Sequence, residues 1–138
     1  MRNWLLYSFV LLFLYGCKGE KVAGPDPADA FVGSYSCVVN SAYSKGKDPR
    51  KGVEERVKVI QLRKEGPAKV RMYGLWNTVG IVGDGFVDWS IDAQEGAGWF
   101  CTYSFSRSHL NEDGTVLEFS FHGEGSWIEN GHVIATKF

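Results

Sequence analysis

Three cysteines, three histidines and a scatter of serines and carboxylates are the side chains of this 138-residue chain that could do chemistry. A zinc ion needs its ligands about 2 Å from one centre. His109 and His122 fall on strands that pair around Asp113-Gly114. Counting outward from a two-residue loop there sets His122 opposite Phe105 and leaves His109 about 13 Å away, at ~3.4 Å per residue. His132 is expected to face Glu129 across an Asn130-Gly131 turn, as an exposed pair. Asp84, Asp88 and Asp92 read as a turn, a strand and a loop residue, without the alternating acidic spacing and closing glycine of a calcium loop. The serines carry no G-x-S-x-G elbow and read as structural. No metal site, no cofactor and no enzymatic activity are expected.

Cys17 differs from the other two cysteines in what precedes it. Arg2 gives a positive start, and residues 4–15 form a twelve-residue run in which only Ser8 is polar. Roughly twenty apolar residues are needed to span a bilayer, so this run is too short for a transmembrane helix. Leu14-Tyr15-Gly16-Cys17 resembles a bacterial lipobox. That resemblance implies cleavage before Cys17, a diacylglyceryl group on its sulfur, and acylation of its freed amine by a fatty acid such as palmitate. Each buried CH₂ contributes about 0.8 kcal/mol, so several chains hold a protein firmly on a membrane. Lys18 in place of an aspartate after the cysteine points to the outer membrane of a bacterial cell envelope.

The rest divides simply. Residues 1–16 read as the signal peptide, 17–30 as the lipidated cysteine with a flexible tether, and 31–138 as one β domain. Lys18 to Ala30 reads KGEKVAGPDPADA, which has little to bury and reaches about 20 Å as a flexible chain. A short turn against the domain is expected over 26–30. Arg2 is the only charge before Cys17, so its removal moves the formal net charge from −1 to −2. Such a balance gives no basic field for nucleic acid. Lys45, Lys47, Arg50 and Lys51 read as a solvated basic loop.

After Phe31 the pattern is period-two alternation broken by glycine turns, with no long helix, which predicts antiparallel strands. Strands are expected near 31–43, 53–62, 69–74, 77–82, 86–91, 98–106, 115–123 and 126–136. Asp84-Gly85, Asp113-Gly114 and Asn130-Gly131 are the clearest turn signals, each suited to a type I′ hairpin. The fold class is therefore all-β: an antiparallel meander of seven to eight strands, closed as a small lipocalin-like barrel or folded as a β-sandwich. Phe31-Val32-Gly33-Ser34-Tyr35 resembles the Gly-x-aromatic opening of lipocalin-like barrels. Together with the lipobox, a G-x-Y-x-C first strand and the ending Thr136-Lys137-Phe138, the chain is similar to small secreted lipoproteins of bacteroidete type, which implies an envelope location.

Two details of register matter. Around Asp113-Gly114 the strict count sets Leu110 against Leu117, but the apolar faces Trp99-Cys101-Tyr103-Phe105 and Leu117-Phe119-Phe121 then disagree by one residue. A bulge near 107–109 is predicted, because one extra residue reverses side-chain parity. Cys37 and Cys101 then both face the core, and a disulfide between them is expected, worth roughly 4 kcal/mol on chain-entropy grounds.

The aromatic residues remain. Trp89, Trp99 and Phe119 are expected to fill the interior. Trp76, in Gly74-Leu75-Trp76-Asn77, reads as an exposed loop residue, and Trp76 with Asn77 forms the candidate binding site. The expected function is that of a membrane-anchored, non-catalytic interaction or inhibitor module that acts through its surface on an unidentified envelope protein or glycan. The alternative is a lipocalin-like cavity for a small apolar or glycan ligand.

Overall fold

The computed structural model describes residues 24–45 and 48–138, and side chains outside 45–54. The expected signal segment, Cys17 and the first part of the tether lie outside the described residues. So do Lys47 and the side chains of Lys45, Arg50 and Lys51.

A 3-10 turn, Pro27–Ala30, leads into β1 (Gly33–Lys45), β2 (Asp48–Gly66), β3 (Lys69–Tyr73), β4 (Thr78–Val82), β5 (Phe86–Trp89), β6 (Asp92–Gly96), β7 (Trp99–Phe105), β8 (Ser108–Leu110), β9 (Val116–Gly125) and β10 (Trp127–Lys137). Each strand is antiparallel to its neighbours. β7 and β8 follow one another along the same edge of β9, and β6 and β5 lie beside them in turn. β10 pairs with both β9 and β1, so the meander closes into an eight-stranded antiparallel barrel of lipocalin-like form.

Alternation puts one side chain in two inside. Tyr35, Cys37, Val39, Ile60, Leu62, Val70, Met72, Val87, Leu117, Phe119, Val133 and Ala135 are all buried. Each large apolar side chain so removed from water stabilises the fold by about 1.5–3 kcal/mol. The predicted bulge is present: Phe105 pairs with Phe121, but His109 pairs with Glu118, so β7–β8 advances one residue more than β9. Leu110 faces Leu117 as counted. A matching change of parity separates Trp89 from Asp92 on the neighbouring strands, and Ile91 is consequently exposed.

The turns differ in kind. Gly83 N–H donates to Phe86 O at 2.9 Å across Asp84-Gly85. Only Gly85 has a positive φ there, so this hairpin is not type I′. Asp113-Gly114 sits in a wider loop, in which Asn111 Oδ1 accepts from Thr115 N at 2.8 Å and Val116 N at 2.9 Å. Asn130-Gly131 is no turn at all. Both residues lie inside β10, Gly131 paired with Phe121 and Ser41, and the chain reverses at Ser126 instead. The glycine is there for space, since a Cβ at position 131 would enter the Phe121 ring.

That relation recurs. Gly80 lies opposite Trp89, Gly96 opposite Trp99 and Gly123 opposite Tyr103, and in each pair the ring occupies the place of the missing Cβ. A bare backbone lets a large ring lie flat on the facing strand.

The end of the barrel where the chain enters is shut by the predicted short turn. Ala28 and Phe31 are buried beneath it. Asp26 Oδ1 accepts from Ala28 N and Ala68 N, both at 2.9 Å. Lys64 Nζ lies 3.1 Å from Asp26 and 2.9 Å from Asp29. Tyr35 O–H donates to Phe31 O at 2.7 Å, and Lys137 Nζ donates to Ala30 O at 3.0 Å. Burial pushes the Tyr35 phenol up to about 12.

Candidate functional site

β3 and β4 are five residues each, whereas β2 has nineteen. At the end of the barrel away from the 3-10 turn they stop short, and β2 pairs with β3 only from Gln61 onward. The wall there is completed by residues 74–77. Gly74, at φ +118°, presses against the Val59 carbonyl, an approach that any Cβ would block. The loop then turns inward.

Trp76 is the residue it carries in. The sequence reading of Trp76 as exposed is corrected: the indole is 4% exposed. Its ring centroid lies 4.8 Å from Phe121, 5.2 Å from Phe105, 5.9 Å from Tyr103 and 6.1 Å from Phe119. The short strands leave interior volume that no strand residue reaches, and the loop tryptophan fills it. Trp89 is half-buried, and its indole N–H donates to Ser108 Oγ. Trp99 points inward by parity but sits at the mouth, so it is 37% exposed and does not fill the interior as expected.

Side chains from β6 hold the loop in place. Asp92 Oδ2 accepts from Asn77 N at 3.3 Å and from Gln94 Nε2 at 2.9 Å, and Gln94 Nε2 also donates to Leu75 O at 3.2 Å. Thr78 O–H donates to Ser90 O at 2.6 Å. Arg71 forks onto Glu65 at 2.6 and 2.8 Å and donates to Asn77 Oδ1 at 2.8 Å. The bond to Arg71 holds the Glu65 carboxyl below its ordinary range. Asp92 is therefore a buried strand residue, not the loop residue expected.

Between loop and β6 lies a groove of about 770 Å³, floored by Trp76, flanked by Asn77, Asp92, Gln94 and Glu95, and walled at its outer end by Trp99. Trp99 lies over Gly96, with Trp127 at 5.2 Å and 39°. The two residues singled out from sequence, Trp76 and Asn77, both line this groove, but the accessible aromatics along it are Tyr73 and Trp99. Asn77 is exposed and Trp76 is its floor.

A second polar cluster lies inside the same end. Arg56 Nη2 donates to Glu129 Oε1 at 2.7 Å, and Tyr103 O–H donates to Glu129 Oε2 at 3.3 Å. Burial, then the neighbouring Cys101, raises the Tyr103 phenol above its usual range. Burial likewise raises the Cys101 thiol and pushes Cys37 up to about 11, so neither is a thiolate near neutral pH.

The expected Cys37–Cys101 disulfide does not form; both thiols are free and buried. Parity gives the face of a strand but not the level along it. Cys37 pairs with Ala135 and onward to Leu117, whereas Cys101 pairs with Gly125, farther along β9 by eight residues, 117 to 125.

The histidines face outward. His132 does not meet Glu129; its Nε2 lies 2.6 Å from Glu118 Oε1 and its Nδ1 3.0 Å from Ser120 Oγ. His122 Nδ1 meets Asn130 Oδ1 at 2.6 Å. Ser120, His132 and Glu118 have the order of a hydrolytic relay, but they stand on an open sheet whose backbone N–H groups are committed to the ladders. Nothing there offers the donors an oxyanion needs. Among the described residues no group of three or more His, Cys, Asp or Glu side chains could hold a metal ion. Asp88 is tied to Arg107 by two bonds of 2.8 Å, and that pairing lowers its carboxyl below the ordinary range.

Compared with family models, curated proteins and solved structures, the chain matches none.

Proposed function

We propose that this protein is a lipid-anchored, non-catalytic module of the bacterial cell envelope that recognises its target at the rim of a filled barrel. The observation that carries this reading is Trp76. Its indole occupies the interior in which a lipocalin-like barrel would hold a ligand, with four aromatic rings already around it. A second observation gives the arrangement a direction. The chain enters at the end shut by the 3-10 turn, and the groove beside Trp99 opens toward the other. A domain held through Cys17, by the tether over 17–30, would present the groove away from the lipid. The outer membrane suits the Lys18 after that cysteine.

The buried thiols and outward histidines support a role without catalysis. Two measurements test the reading. Cys17→Ala should move the protein from the membrane fraction to the soluble fraction and leave the signal uncut; a variant that stays on membranes at the wild-type mass would defeat the anchor. Organic extraction of the purified protein followed by mass spectrometry should release no stoichiometric apolar ligand. A fatty acid recovered at one per chain would restore the cavity-binding alternative.

A further inference from the structure

We propose that the groove between residues 74–77 and β6 is a saccharide subsite that takes an uncharged pyranose ring against the Trp99 indole. The inference rests on the rim-binding reading above and names the ligand class for that rim. A pyranose presents an apolar C–H face and a girdle of hydroxyls that both donate and accept. A site for it needs one aromatic plane and several planar polar groups with unused capacity, rather than a uniformly apolar lining.

The groove has both parts. Trp99 is held in advance, over Gly96 and against Trp127, so little side-chain freedom is lost when a ring docks on it. The polar groups are oriented by bonds that leave their other atoms open. Asn77 Oδ1 accepts from Arg71, which fixes the amide and turns its NH₂ out as a donor. Gln94 spends its NH₂ on Leu75 O and Asp92 Oδ2, leaving Oε1 as an acceptor. Asp92 uses Oδ2 for both its contacts, and among the described residues neither its Oδ1 nor the exposed Glu95 carboxylate has a partner. Hydroxyls can donate to Asp92 and Gln94 and accept from Asn77, with Glu95 adding negative charge at the edge of the groove.

Charge selects among sugars. Arg71 is neutralised by its fork on Glu65, so Asp92 and Glu95 leave the groove acidic. Uronic, sialic and phosphorylated sugars are thereby excluded by like charge. An apolar ligand is disfavoured too, because it would cover these acceptors without satisfying them. The volume of 770 Å³ lies in the range of small-ligand sites.

The test titrates the full chain in detergent with chitohexaose, cellohexaose and mannohexaose, each to about 10 mM, and with hexagalacturonate. The readouts are tryptophan fluorescence and the indole N–H resonances. At least one neutral hexaose should saturate and shift the Trp99 resonance, and hexagalacturonate should not. Trp99→Ala should weaken that binding by about tenfold or more, whereas Val57→Ala, on the outer wall, should leave it unchanged. Glu95→Lys, at an exposed position, should admit hexagalacturonate, which keeps the test decisive if Trp99→Ala folds poorly. Saturation by no neutral hexaose, preference for hexagalacturonate in the wild type, or full binding by a folded Trp99→Ala variant would each overturn the subsite. Retained membrane anchoring and no extractable apolar ligand alongside any of these would leave the rim-binding reading standing and remove only its ligand.

Discussion

Replacing Trp76 by alanine puts the interior of the barrel directly to the test. The residue is on a loop, and an exposed loop position changes stability by less than about 0.5 kcal/mol when truncated. Its burial and its four ring neighbours argue otherwise. Truncating a buried tryptophan to alanine costs about 3–5 kcal/mol, from lost transfer energy plus about 24 cal/mol for each Å³ of void left unfilled. The edge-on contacts with Phe105, Tyr103 and Phe119 put the value toward the upper half, since such pairs add ~0.5–1.5 kcal/mol each beyond their area. For a domain of this size each kcal/mol lowers Tm by roughly 4 °C, so a fall of about 15 °C is expected. Urea unfolding at constant slope gives the free energy directly. The variant should also gain a dry, aromatic-lined void, so free indole should bind it and recover part of the loss. A change under about 1 kcal/mol, with no response to indole, would refute the plugged interior.

The remaining expectations concern cysteines and pH. With no disulfide, reductant should leave Tm unchanged, and Cys37 and Cys101 should react with an alkylating reagent only as the domain unfolds. A thiol-resistant, reductant-sensitive form would contradict the structure. Asp26 is held below its ordinary value of 3.8, first by the Ala28 N–H and then by the Ala68 N–H. A folded value depressed in this way means that its contribution is fully present above 3.8 and is lost as the pH falls below it. Protection of the Ala28 and Ala68 amides, measured against their intrinsic exchange rates at each pH, should therefore fall in that acid window, and Asp26→Ala should show the reduced protection at neutral pH.

Much of this architecture was legible because strand parity is a strict constraint. The clash between the Trp99–Phe105 face and the Leu117–Phe121 face demanded one extra residue, and the extra residue lies where that clash pointed. The same constraint misled where it ran out. Parity put Cys37 and Cys101 on inner faces, but the distance between their levels depends on how strands stagger around the barrel. It turned Trp99 inward, yet at the rim inward means the mouth. Asn130-Gly131 has the composition of a turn, whereas Gly131 answers to the Phe121 ring on the next strand, a contact outside any local window. Trp76 was hidden for a related reason: the shortness of β3 and β4 created the space, and length differences among strands become meaningful only after closure. β6, rich in polar residues, reads as a loop because its inner positions hold Asp92 and Gln94 for the groove.

The seam between β1 and β10 joins the first described strand to the last, two segments far apart along the chain. Eleven register pairs, from Tyr35 with Lys137 to Lys45 with Trp127, zip that seam. During synthesis β1 and β2 can pair early, but the other edge of β1 has no partner until residues 127–137 have emerged. A nascent chain thus carries a bare strand edge with Val38 beside it through most of its making, the kind of template that invites pairing between chains. The circle closes only when β10 has arrived, so the barrel cannot form ahead of that strand. Loss of even β10 alone would strip a partner from both β1 and β9.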